Sequence, residues 1–145
     1  MGCLQMAISW RTELEIGVTE IDEQHKHLVE SFNVFLRACR DGKGSSELLR
    51  LMEFLDEYVI KHFNAEEKLQ IKLAYPDHES HRLQHLGFIK RIQELKNQLI
   101  PEVPPEINQV ISTNSMLLDW LVKHISGSDK QFGRYLEEVG YSTSN

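Results

Sequence analysis

The sequence predicts an all-α fold: an up-down-up-down antiparallel four-helix bundle with an extended N-terminal arm and a short C-terminal helix. Three observations predict it. Apolar residues recur at helical spacing in four separate stretches. No stretch alternates with the two-residue period of a half-buried strand. The breaks between stretches are short, which makes successive helices antiparallel neighbours. The 145 residues fit one domain, divided into an arm at 1–18, a helical bundle at 19–138 and a tail at 139–145.

Each element has a local reason. The first helix is expected to open at Thr19 as N-cap, with Glu20, Asp22 and Glu23 in its positive first turn. Its inward stripe is Ile21, His25, Leu28, Phe32, Phe35 and Cys39, and it stops at Asp41-Gly42 with Arg37 and Arg40 in the last turn. The second runs from near Ser45-Ser46 to about Lys72, with stripe Leu48, Leu51, Leu55, Val59, His62, Glu66 and Leu69. Tyr75-Pro76-Asp77 makes a turn. The third runs from about Asp77 to Leu99, with stripe His81, His85, Phe88, Ile92, Leu95 and Leu99, and is broken by Pro101, Pro104 and Pro105. The fourth starts near Glu106 and carries Ile107, Val110, Ile111, Leu117, Leu121, His124 and Ile125. A short last helix is expected from about Asp129 to Glu138.

Composition excludes several classes of function. The chain is 41% hydrophobic and 26% charged, ordinary for a water-soluble protein. A net charge of -6 argues against nucleic acid and anionic membranes as partners, because both select clustered Lys and Arg. No run approaches the roughly 18 apolar residues of a membrane helix. Met1 to Trp10 has neither a basic n-region nor a long apolar h-region, so a cytoplasmic location is expected. Cys3 and Cys39 make no disulfide framework; Cys39 falls on an apolar helical face and Cys3 in the arm.

The unusual residues are polar ones at core positions. His25, His62, Glu66, His81, His85 and His124 all fall on the inward phase of their helices. A single histidine on an apolar face is usually a hydrogen-bonded core residue, and burial without a partner is costly. Five histidines on four helices, with a carboxylate in register, are satisfied together most simply by a shared cation. His62 and Glu66 are four apart, as are His81 and His85, so each pair shares a helix face. His124 and Asp129 are five apart and would diverge by about 140° on a regular α-helix. Asp129 joins the cluster only if the helix ends or forms a π-type turn near Gly127; otherwise it serves as N-cap of the last helix. His27 and His78 fall off these faces and are expected at the surface.

Nitrogen and oxygen donors without thiolate favour iron, zinc, manganese or copper over an iron–sulfur cluster. His81-Arg82-Leu83-Gln84-His85 lacks the Glu of a zinc-protease HExxH motif. Seven protein ligands also exceed one tetrahedral zinc and suit two octahedral metals bridged by carboxylates. No histidine has a Glu three residues before it, so the Glu-x-x-His pattern of ferritin-like di-iron enzymes is missing.

The ordered set of motifs resembles the bacterial haemerythrins. The matching pieces span Trp10 to Tyr135: Trp10 with Gly17-Val18, Ile21-Asp22-Glu23-Gln24-His25, His62-Phe63-Asn64-Ala65-Glu66-Glu67, Tyr75-Pro76, His81 with His85, Trp120-Leu121-Val122-Lys123-His124-Ile125, and Asp129. Gln70 and Phe132 depart from that pattern, where Met and Tyr are common. The resemblance implies that His81, His85 and His124 hold one iron and His25 and His62 the other. Glu66 and Asp129 would bridge the irons together with an oxo or hydroxo group. All but one position of two octahedral irons would then be filled, and O2 would bind at the open one, on the iron with two histidines. Leu28, Phe63, Trp120, Leu121 and Ile125 are the candidates to line that pocket and keep water out.

The function expected from this resemblance is reversible O2 binding for storage, delivery or sensing. The recipient would be an oxygen-requiring enzyme or a sensor partner, with no nucleic acid and no membrane involved. The competing expectation is an enzyme on the same ligands: a di-iron oxidase, peroxidase or nitric-oxide-handling protein. That alternative needs a proton path or substrate channel at the open iron, and no acid is recognisably positioned for one.

Overall fold

A computed structural model describes residues 10–99 and 106–141. Helix α1 spans Thr19–Arg40, α2 Gly44–Lys72, α3 His78–Gln98, α4 Ile107–His124 and α5 Lys130–Glu138. Among the described residues there is no strand. The contacts between helices run in opposite directions along each pair. Gln70, Glu67 and Asp56 on α2 meet His81, His85 and Lys96 on α3 in turn. Gln84 and Arg91 on α3 meet His124 and Met116 on α4. The bundle is therefore antiparallel, as the short connections predict. No described helix is long and apolar enough to cross a membrane.

The two tight reversals use the same device. α1 ends with Gly42 in the left-handed region (φ 78°), and the Lys43 N–H returns to the Ala38 carbonyl at 2.7 Å. α2 ends with Ala74 at φ 54°, and the Tyr75 N–H returns to the Gln70 carbonyl at 2.9 Å. The second reversal fixes where α3 starts and so sets His81 opposite Gln70. Tyr75 is buried there between Phe132 and Tyr135 of α5.

The core has two parts. The larger fills the bundle with Leu28, Phe32, Leu48, Met52, Leu55, Phe88, Ile92 and Leu117, all at most 2% exposed. The smaller joins the arm to α5 through Ile16, Val18, Ile21, Tyr75, Phe132 and Leu136. Gly133 permits this closeness, since a Cβ there would stand 3.1 Å from the Ile16 Cβ. Lys130 adds a bond from its ammonium to the Glu15 carbonyl at 3.0 Å.

Several sequence expectations are corrected here. Thr19 is the first helical residue and not the N-cap; Val18 holds that position in extended backbone. The first-turn work falls to Asp22, buried and not surface-facing, whose carboxylate accepts from the Ile16 N–H at 2.8 Å and the Gly17 N–H at 3.2 Å. Desolvation raises the Asp22 pKa, and those two backbone bonds oppose the shift. Leu69 is only half-buried, whereas Gln70 is fully buried, because four residues beyond Glu66 is Gln70. Ile107 starts α4 exposed. The arm is not wholly extended: Thr12–Leu14 forms a 3-10 turn. Cys39 is half-buried against the core, and Cys3 lies outside the described residues.

Candidate metal centre

His25 comes from α1, His62 and Glu66 from α2, His81 and His85 from α3, His124 from the end of α4, and Asp129 from the turn that follows. All seven are buried, each at most 5% exposed. The turn is a π-helix over Ile125–Asp129, in which the Lys130 N–H reaches back five residues to the Ile125 carbonyl. This widened turn absorbs the fifth residue between His124 and Asp129 and aims both side chains inward. Asp129 also precedes α5, but its side chain makes no cap bond. Gly127 is not the cause: its φ is not left-handed, and a Cβ there would meet nothing within 4 Å.

The donor atoms form two groups. Glu66, His81, His85, His124 and Asp129 make one, and His25, His62, Glu66 and Asp129 the other, each with ligand atoms within 4.8 Å of one another. The carboxylates belong to both, one oxygen to each side. Glu66 Oε1 is 2.7 Å from His81 Nε2 and 3.3 Å from His85 Nε2, while Oε2 faces His25 and His62 at 3.8 and 3.7 Å. Asp129 Oδ1 is 2.9 Å from His81 Nε2 and 3.2 Å from His124 Nε2, while Oδ2 is 3.1 Å from His25 Nε2.

The outer nitrogens explain why the inner ones converge. His62 Nδ1 lies 2.7 Å from Gln24 Oε1, His85 Nδ1 2.8 Å from Glu67 Oε2, and His124 Nδ1 3.0 Å from Gln84 Oε1. Each partner is an acceptor, so each Nδ1 donates and each Nε2 presents a lone pair inward. Ser128 donates to the same Gln84 oxygen at 2.7 Å. His124 Nε2 stands 3.0 Å from His81 Nε2 and 3.1 Å from His85 Nε2. The lone pairs of His85 and His124, facing one another at that range, repel unless a cation sits between them. Metal–nitrogen bonds of about 2.1 Å at right angles place two donors roughly 3.0 Å apart, which matches. The oxygens of Glu66 and Asp129 have no partner in hydrogen-bonding geometry, nor do the ring nitrogens of His25. These buried polar atoms and this donor set fit metal ions.

The electrostatics agree. Burial and Asp129 push the Glu66 pKa up, but the nearby His81 and His85 outweigh both and hold it at about 2. Burial likewise opposes ionisation of Asp129, and His124 and His25 overcome it, keeping the acid well below the carboxylate range. Burial lowers His81, yet Asp129 and Glu66 raise it to about 10. His62 goes the other way, to about 3, through burial and the neighbouring His25. Two ionised carboxylates in a sealed core need positive charge beside them.

The five residues expected to line a pocket divide. Leu28, Leu121 and Ile125 lie in the core, each at most 1% exposed. Phe63 stacks flat on His85, with ring centroids 3.8 Å apart and an angle of 4°. Trp120 is half-buried and stacks on His124 at 4.5 Å and 13°. Phe63 and Trp120 therefore back the three-histidine group. Trp10, whose ring lies 6.3 Å from that of His25, stands on the other side. His27 rests at the surface against Phe54 and Tyr58, and His78 is half-buried beside Glu79. The sequence reading missed the outer partners Gln24, Glu67, Gln84 and Ser128. Of these, only Glu67 had a usable local signal, its place beside Glu66.

Fold and site together define a class, a four-helix bundle with a buried histidine–carboxylate cluster suited to metal. A family model described as "Hemerythrin HHE cation binding domain" matches residues 16–136. The chain belongs to the haemerythrin family. A protein of Pseudomonas paraeruginosa named Bacteriohemerythrin is 31% identical over 137 residues, 93% of this chain and 83% of its own. One of the same name from Methylococcus capsulatus is 31% identical over 130 residues, 88% of this chain and 96% of its own. A "Hemerythrin-like protein" of Naegleria gruberi is 32% identical over 124 residues, 86% of this chain and 89% of its own.

Proposed function

We propose that this chain binds O2 reversibly at a di-iron centre, for storage, delivery or sensing of oxygen. The observation that carries the reading is the pair of buried carboxylates, each turning one oxygen toward the His81–His85–His124 group and the other toward the His25–His62 group. In this reading His81, His85 and His124 hold one iron, His25 and His62 hold the other, and Glu66 and Asp129 span them with an oxo or hydroxo bridge. Such a pair of irons, when bound, supplies the two electrons that O2 takes up on binding and returns on release.

The protein's part is to hold and to shield. Five neutral imidazoles leave Glu66 and Asp129 as the protein's own compensating charge, which keeps the net charge of a buried centre small. Gln24, Glu67 and Gln84 fix three of the rings by their outer nitrogens. Leu28, Leu121, Ile125 and Phe63 close the core around the donors and keep water from them.

Binding is favoured over an oxidase, peroxidase or nitric-oxide-handling role by how the acids are used. Among the described residues, the carboxylates touching the cluster are Glu66 and Asp129, both donors to it, and Glu67, which is held on His85. None remains to deliver protons. The test is an optical spectrum of the iron-loaded protein cycled between air and argon. Colour that develops in air and reverses under argon, over several cycles, is the expected result. Irreversible bleaching or turnover of an added reductant would favour the enzyme.

A further inference from the structure

Gln70 is fully buried on α2, one turn beyond Glu66, and its amide meets the outer nitrogen of His81. Its Nε2 lies 2.9 Å from His81 Nδ1, while its Oε1 is buried without a hydrogen-bond partner. A buried amide with one orphaned end is destabilising relative to an apolar residue of the same shape. A side chain kept at that cost needs a purpose. The other outer partners suggest one, because the Nδ1 atoms of His62, His85 and His124 all meet acceptor oxygens.

The two ends of the amide are alike in shape, so a half-turn about its last torsion exchanges Oε1 for Nε2 at His81 Nδ1. In that orientation Oε1 accepts from Nδ1–H, and the Nε2 lone pair of His81 turns inward beside those of His85 and His124. We propose that Gln70 is the positioning residue for His81, its amide oxygen fixing the tautomer and ring angle in which His81 can donate to a metal. This rests on the metal reading above and adds a residue that touches neither metal nor O2. An apolar side chain of equal length would fill the same space and leave Nδ1–H unpaired. A Glu would keep the acceptor.

The test compares the wild-type protein with Gln70→Met, Gln70→Leu and Gln70→Glu. The metal-free proteins are titrated with ferrous iron under argon, and their unfolding temperatures are measured separately. The expected result is iron affinity roughly 10–100-fold weaker in Gln70→Met and Gln70→Leu. Their metal-free stability should stay equal or rise, because the orphaned amide is gone. Gln70→Glu should hold iron as well as the wild type or better. Wild-type affinity in both apolar variants would overturn the proposal alone. So would a Gln70→Glu variant as weak as Gln70→Met. A wild-type protein that takes up no ferrous iron would overturn the metal reading and this proposal with it.

Discussion

The two sides of the cluster are built differently. On the three-histidine side, His85 and His124 are pinned from outside by Glu67 and Gln84, and their rings lie flat against Phe63 and Trp120. The inner nitrogens there are already 3.0–3.1 Å apart. On the two-histidine side, His62 is pinned by Gln24, but the outer nitrogen of His25 has no hydrogen-bond partner; Asp129 faces its inner nitrogen at 3.1 Å, and Glu66 stands off at 3.7–3.8 Å. One side is preorganised; the other is looser and has one donor fewer. The difference suits a division of labour in which the tight side keeps its metal while the loose side takes and gives up a small ligand. Pinning outer nitrogens is how a protein holds a ring against exchange, and leaving one unpinned is how it permits movement.

The comparison can be broken most sharply at the residues both sides share. Glu66→Ala or Asp129→Ala removes charge and a donor from each side at once. Bound iron should fall from about two per chain to below about one. Retention of both irons by Glu66→Ala would refute the bridging role. Next comes a contrast between sides. His62→Ala should empty the loose side and leave about one iron per chain, whereas His124→Ala should loosen both. Equal loss in the two variants would mean that the sides are not distinct.

A smaller effect is expected at the shield. Leu121→Ala leaves a cavity beside the donors and should cost about 2–5 kcal/mol of stability. The variant should also be irreversibly oxidised several-fold faster in air. An unchanged oxidation rate would show that Leu121 is packing only. The smallest effect is expected at Gly127→Ala. Its backbone is compatible and the space is open, so stability should shift by less than about 1 kcal/mol and the iron count should not change.

Much of this was legible in the sequence because the signals are local. Helical periodicity marked the four long helices, and inward polar residues at a spacing of four exposed His62 with Glu66 and His81 with His85. Asp129 was legible only on a condition, the π-turn, and the condition was tied to Gly127 when the turn does not need glycine. The outer partners were hidden for a physical reason. Gln84 precedes His85 by one residue and so leaves the helix sideways, looking like any solvated amide until the neighbouring helix brings His124 to it. Gln70 was noticed as a departure, yet Leu69 was placed on the inward stripe in its stead. Apolarity outweighed phase in that choice, and phase was right. Trp120 was assigned to the pocket by type, and only packing shows that it backs His124.

The most direct test of the central claim is anomalous diffraction at the iron edge from crystals of the iron-loaded protein. Two peaks per chain are predicted, one bounded by His81, His85 and His124 and the other by His25 and His62, with Glu66 and Asp129 reaching both. A single peak, or two peaks not joined by those carboxylates, would contradict it.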